Sequence, residues 1–321
     1  MSQPDSNPRL GPPGGSQLDP SPAPEQSRAP DFSSASEPSY AQSLIWAPDG
    51  LRPGWGLAAY FLTYYLLKTP LVEAAYSHDF GASGLWTFML VEVASLTAAF
   101  VPSFALAAIE RRSWGTYGFP LRKSIPRSFF AGASWGFASV SFLILLLLAA
   151  HTFQLGHIVL HGARLARFAA FWTLQFLLVG FFEEFLVRGY SQFTLARGIG
   201  FWPSAVTLSC AFAILHLDNE GERWPGLLAV FCIGMFLCLT LRRTGNLWFA
   251  IAFHAAWDWG ETFFYSVPDS GMVAPGHLLS SSLRGKAWLT GGSVGPEGSV
   301  FCFLVIALTA VAFSRAYPAR P

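Results

Sequence analysis

Three short stretches of an otherwise apolar chain carry side chains able to do acid–base chemistry. "FLLVGFFEEFLVRGY" (176–190) sets Glu183 beside Glu184, with Arg188 one helical turn further on; "AFAILHL" carries His216, and "FHAAWDW" carries His254 and Asp258. At helical spacing Glu184 and Arg188 are i and i+4 and share a face, with the acid on the favourable N-terminal side. Glu183, about 100° round the helix, is left to point elsewhere. His254 and Asp258 repeat the i,i+4 spacing, as do Phe212 and His216. A carboxylate beside imidazoles in a dry pocket can take a proton from water as a general base. An imidazole can orient that water or donate to an oxyanion forming on a carbonyl. Two histidines and a carboxylate, here Glu183, His216 and His254, are also a ligand set for catalytic zinc with water in the open position. HExxH is absent. Both routes end in hydrolysis of a peptide or related acyl bond.

Such groups need helices to carry them, and the composition says in what solvent. Of 321 residues, 52% are hydrophobic, 16% aromatic and 12% charged, with a mean hydropathy of +0.41. That is about half the charge of a soluble domain, so lipid is the expected surrounding. A net charge of +1 offers no basic face for nucleic acid. A bilayer-crossing helix takes about 20 mostly apolar residues. On that basis about eight segments qualify, near 54–72, 84–109, 127–150, 168–190, 201–217, 225–241, 246–266 and 299–316. The expected fold is therefore all-α, a polytopic bundle over 46–320. Lys and Arg set the orientation: Arg111, Arg112, Arg122, Lys123 and Arg127 crowd one connection, and Arg242 and Arg243 another. These place both termini in the cytoplasm, with Arg164 and Arg167 as exceptions on the outer side.

Ionisable groups at membrane depth are costly and turn toward the bundle interior. Counted from the inner ends, Glu183, His216, His254 and Asp258 fall at overlapping depths of about 12–22 Å, which scattered structural groups would have no reason to do. Each element also has a plainer reading: Glu184–Arg188 as an interface ion pair, His216 as an interhelical donor, His254–Asp258 as a packing pair. Glu92 reads as a packing or cavity residue, and Glu261 sits nearer the end of its segment. Residues 1–45 are rich in Pro, Ser and Gly and read as a disordered cytoplasmic tail without a signal peptide. Cys210, Cys232, Cys238 and Cys302 lie in apolar runs without CxxC spacing, as core cysteines. The tryptophans Trp55, Trp86, Trp114, Trp202, Trp224 and Trp248 read mostly as interface anchors, while Trp257 and Trp259 flank Asp258 and could wall a pocket. "RRSWGTYGFP" (111–120) reads as an inner-face turn holding its loop at the anionic leaflet.

"EEFLVRG" resembles the EExxxR signature of the CPBP group, which comprises type II CAAX prenyl endopeptidases and their bacteriocin-processing and Abi relatives. "FAILH" resembles that group's FxxxH motif, and "HAAWD" its final His followed four residues later by Asn or Asp. The order and spacing are similar too, over a core of about 165–265. The resemblance implies a multi-helix intramembrane endopeptidase, often grouped with metalloproteases, for which a metal-free, glutamate-dependent mechanism has also been argued. It implies Glu183 as the base and Glu184 as the motif's second acid, paired with Arg188. His216 would aid water activation, His254 and Asp258 would complete the oxyanion or metal site, and Arg188 and Phe212 would give support. The eukaryotic prenyl proteases carry Asn in the last motif; Asp258 is the variant of many bacterial relatives, which speaks against prenylated CAAX substrates, and the expected location is a bacterial cell membrane. The partners implied are the lipid bilayer and a protein or peptide substrate. Two other classes fit the same acids: a proton- or ion-coupled transporter, although residues 54–165 and 168–316 show no convincing repeat, and a non-catalytic membrane scaffold or immunity protein.

Overall fold

The computed structural model describes residues 40–77, 84–120, 125–219, 221–273 and 275–319. The expected tail lies outside these residues except for Tyr40–Ile45, which forms a short helix. A small hairpin follows, β1 (Trp46–Ala47) paired antiparallel with β2 (Gly50–Leu51). Helices then occupy the eight expected segments, with one more, Gln192–Ile199, between the fourth and fifth. They are α1 (Pro53–Ser77), α2 (Leu85–Ile109), α3 (Ile125–Ala149), α4 (Gly162–Leu186), α5 (Gln192–Ile199), α6 (Phe201–Leu215), α7 (Trp224–Thr244), α8 (Trp248–Trp259) and α9 (Val300–Ala316). A second two-stranded pair, β3 (Phe153–Gln154) with β4 (Ser282–Leu283), ties the α3–α4 connection to the α8–α9 connection.

The all-α membrane architecture holds, but the count of crossings needs care. Among the described residues, four helices are long and apolar enough to cross a bilayer: Leu85–Ile109, Pro126–Ala149, Gly162–Ile199 and Trp224–Thr244. Phe201–Leu215 and Val300–Ala316 are apolar but shorter; fifteen residues rise only about 22 Å, less than a hydrocarbon core of about 30 Å. Eight crossings are therefore not established. The fourth segment is also longer than expected. It begins at Gly162 instead of 168, so Arg164 and Arg167 ride exposed on its first turns. It also continues through a π-turn, Val187–Ser191, whose Gly189 leaves helical geometry (φ −82°, ψ −121°). The chain reverses between α5 and α6 at Gly200, whose φ of 84° suits a residue without Cβ.

Helix α8, which carries His254 and Asp258, lies deep among its neighbours. From Phe249 to Phe253 its residues are no more than 1% exposed. Helix α3 reaches it through Gly132 and Gly136, four residues apart. A Cβ at Gly132 would stand 2.3 Å from the Phe249 carbonyl oxygen, and one at Gly136 2.1 Å from that of Phe253. Small residues at this spacing let two backbones touch. Gly180 plays the same part for α4, where an added Cβ would lie 2.8 Å from the Ile251 carbonyl oxygen.

The 111–120 turn keeps Arg111 exposed and ties its other groups into a packed cluster. Trp114–Tyr117 is a 3₁₀ turn, and Trp114 stacks between Phe104 (4.6 Å, 12°) and Phe119 (4.9 Å, 8°), while Phe100 lies flat on Phe185 (4.2 Å, 4°). Arg112 is engaged with Asp49 (3.0 Å) and Glu110 (3.4 Å), and Arg197 with the same two acids (3.4 and 3.1 Å). Tyr117 donates to Glu110 at 3.2 Å. Burial, then the Glu110 carboxylate beside it, raises the Tyr117 phenol well above its ordinary pKa, so it stays a donor. This cluster fixes the hairpin, the end of α2 and α5 to one another, and so sets the position of the π-turn that follows Glu184. Of the cysteines, Cys238 and Cys302 are buried and Cys210 is exposed, so Cys210 departs from the core reading. Trp55, Trp86, Trp202 and Trp224 are exposed, as anchors require; Trp114 and Trp248 are packed inward instead.

Candidate active site

Helix α4 brings two adjacent acids to different places. Glu184 is fully buried and accepts from Arg188 Nη1 at 3.0 Å, a pair with no exposure on either side chain. The guanidinium also lies over the Phe212 ring, 4.6 Å from its centroid. Helix α7 closes on it only because residue 234 is glycine, where a Cβ would be 2.7 Å from Nη2. Glu184 Oε1 meets His254 Nδ1 at 2.9 Å. An ionised carboxylate can only accept, so Nδ1 carries the proton. The result is a dry relay, Arg188–Glu184–His254, joining α4, the π-turn and α8.

Glu183 points the other way, as the helical offset predicts, and keeps 25% of its side chain exposed. Its Oε2 lies 3.7 Å from His254 Nε2, and Asp258 Oδ2 lies 3.5 Å from the same nitrogen. Both acids therefore flank the outer edge of the ring whose inner edge is held by Glu184. Glu183, His216, His254 and Asp258 line one cavity of about 660 Å³, within the range of ligand-binding sites. Glu184 does not reach its wall. Phe212 does, and its backbone carbonyl accepts from His216 Nδ1 at 2.8 Å. That bond assigns the His216 tautomer and leaves the Nε2 lone pair free. Trp257 is also at the wall, whereas Trp259 packs on Phe263 (5.1 Å). Glu92 lines the far side, near Lys68.

Glu183 on α4, His216 just past the end of α6, and His254 and Asp258 on α8 thus line one hollow. Comparison with known families decides what kind of domain it is. Residues 165–260 match the family model described as Type II CAAX prenyl endopeptidase Rce1-like. Over this stretch the chain is similar to the Rce1-like domain. The matched stretch nearly coincides with the core placed at about 165–265 from the motifs. A comparison with curated proteins found none that matches the chain. The matching family is one of endopeptidases, and the apolar helices around the matched stretch suit an integral membrane protein.

Sequence reading missed two features of the site. One is Gly234, whose lack of a side chain admits Arg188. The other is a second acidic group beyond the Rce1-like domain's core. Asp269 and Glu297 line the same cavity, and Glu261 stands behind them; both lie in the α8–α9 connection, where no periodicity marks them. Among the described residues, Glu261, Asp269 and Glu297 are the one set of three or more His, Cys, Asp or Glu whose ligand atoms come within 4.8 Å of one another. Glu183, His216 and His254 do not form such a set.

Proposed function

We infer that the chain is an intramembrane endopeptidase that hydrolyses peptide bonds of membrane-associated or hydrophobic proteins, with Glu183 as general base. The observation that carries this reading is the partly exposed Glu183 carboxylate sharing one cavity with the imidazoles of His216 and His254. A water between Glu183 and the His216 Nε2 lone pair gives a proton to Glu183 as its oxygen attacks the scissile carbonyl. The oxyanion takes a hydrogen bond from His254 Nε2–H. Collapse breaks the C–N bond, and Glu183 returns the proton to the leaving nitrogen. Asp258 orients the His254 ring from one edge and Glu184 from the other; Arg188 and Phe212 hold Glu184 and His216 in turn. Glu184 on this reading positions His254 without meeting the substrate.

Zinc on Glu183, His216 and His254 is the alternative, and such an ion would acidify the water and polarise the carbonyl. The spread of those ligand atoms favours the route through the carboxylate and imidazoles alone. Lys and Arg placement supports cytoplasmic termini, and Asp258 in place of Asn supports a bacterial substrate over a prenylated one. Glu92, a half-buried residue whose inward Oε2 has no hydrogen-bond partner, favours a second reading, a proton path through the same hollow.

The test is Glu183→Gln, which keeps volume and removes the base. Comparing membrane proteomes of cells bearing wild type and variant should reveal proteins left uncleaved. With a substrate so found, the purified variant should lose at least about 10²-fold in rate while remaining monodisperse. Cleavage at the wild-type rate overturns the assignment. Proton flux into proteoliposomes with no change in the proteome would favour the transport reading.

A further inference from the structure

The acidic trio at the edge of the hollow has no part in the hydrolysis proposed above, and its electrostatics are incomplete. Glu261 is 0% exposed, and neither of its carboxylate oxygens has a hydrogen bond of good geometry; the neighbouring Trp257 indole is the one donor that favours its charge. Asp269 Oδ2 accepts from Thr262 (3.0 Å), and Glu297 Oε2 from the amide and hydroxyl of Ser270 (3.2 and 3.0 Å). One carboxylate oxygen from each acid lies within 4.8 Å of the others. Three acids converging in a buried place need compensation, and an unpartnered buried carboxylate among them points to a ligand. The donors are all oxygen, which suits hard cations over zinc. A dry protein cage suits Ca²⁺ over Mg²⁺, which gives up its waters reluctantly. Asp269 and Glu297 open onto the cavity, giving the ion a way in.

We propose that Glu261, Asp269 and Glu297 form a Ca²⁺ site that clamps the connection 266–299 to the end of the helix bearing His254 and Asp258. Glu261 follows Asp258 by three residues, so the ion anchors the catalytic helix at its far end. It acts as a structural and positioning ion, distinct from any metal on Glu183.

Terbium tests this, because Tb³⁺ replaces Ca²⁺ and Trp257, one turn before Glu261, can sensitise its emission. Purified full-length protein should bind one Tb³⁺ per chain, displaced by Ca²⁺ and not by Zn²⁺. Ca²⁺ should raise Tm and EGTA lower it. Glu261→Gln should abolish the emission. Should that variant fail to fold, the half-buried Glu297→Gln should remain folded, bind at least tenfold more weakly and lose the Ca²⁺ response in Tm. No Ca²⁺-displaceable emission, or wild-type binding in Glu297→Gln, overturns the proposal; so does a wild-type Tm indifferent to Ca²⁺ and EGTA. These readouts do not involve proteolysis, so their failure is separable from failure of the hydrolase reading.

Discussion

Two adjacent glutamates on one helix meet opposite fates, and the difference is angular. Glu183 lies about 100° round from Glu184 and reaches the hollow; Glu184 is sealed against Arg188 and His254. The two should therefore fail differently when changed. Glu183→Gln leaves the relay intact and removes only chemistry. Arg188→Ala strands Glu184 in low dielectric, and Glu184→Gln strands Arg188, each costing about 3–5 kcal/mol. Yield and Tm of purified variants check this: both should fall, and the double variant Glu184→Gln/Arg188→Ala should lose less than the sum of the two. Additive losses would mean that the pair is not coupled. These residues were legible because a charge inside an apolar run is rare enough to be informative. Glu261 was equally visible, yet its partners Asp269 and Glu297 lie in an aperiodic connection 8 and 36 residues on. Nothing local in the sequence announces that they return to it.

At the scale of elements, the catalytic helix is placed by what its neighbour lacks. Gly132 and Gly136 put the α3 backbone against the Phe249 and Phe253 carbonyls, which fixes the depth and rotation of His254 one residue later. Gly136→Val should therefore abolish the monodisperse folded species, since a side chain there would start at 2.1 Å from backbone. Size-exclusion profiles in detergent measure this, with Gly54→Ala as control, where no atom lies within 4 Å of an added Cβ. The helices themselves were readable from apolar length, which is why α2, α3 and α7 fell close to expectation. Their ends were less so. The start of α4 at Gly162 takes in Arg164 and Arg167, which a hydropathy window rejects. The π-turn at 187–191 leaves no mark in apolar content, because it changes rotation and not composition. GxxxG spacing was present in "AGASWG" all along; what it touches is knowable only once α8 is placed.

At the scale of the molecule, two metal questions separate cleanly because they concern different donors. A zinc-selective chelator such as 1,10-phenanthroline should leave proteolysis at its full rate if Glu183 and the histidines act alone; loss of activity together with one zinc per chain, by elemental analysis, would restore the metal route. EGTA addresses the oxygen-only clamp and should act on Tm. The broad architecture, helices around a polar hollow, followed from the exclusion of unpaired polar groups from lipid, and so was accessible from sequence. How many helices cross completely was not, because α6 and α9 are too short to decide it by length. The indole of Trp114, sandwiched flat between Phe104 and Phe119, has a practical consequence. A ring held this rigidly gives a near-ultraviolet dichroic band that vanishes once side-chain packing loosens, even where helix content survives. The protein thus contains its own optical reporter, outside the cavity wall, able to distinguish an inactivated protein from a melted one without label or substrate.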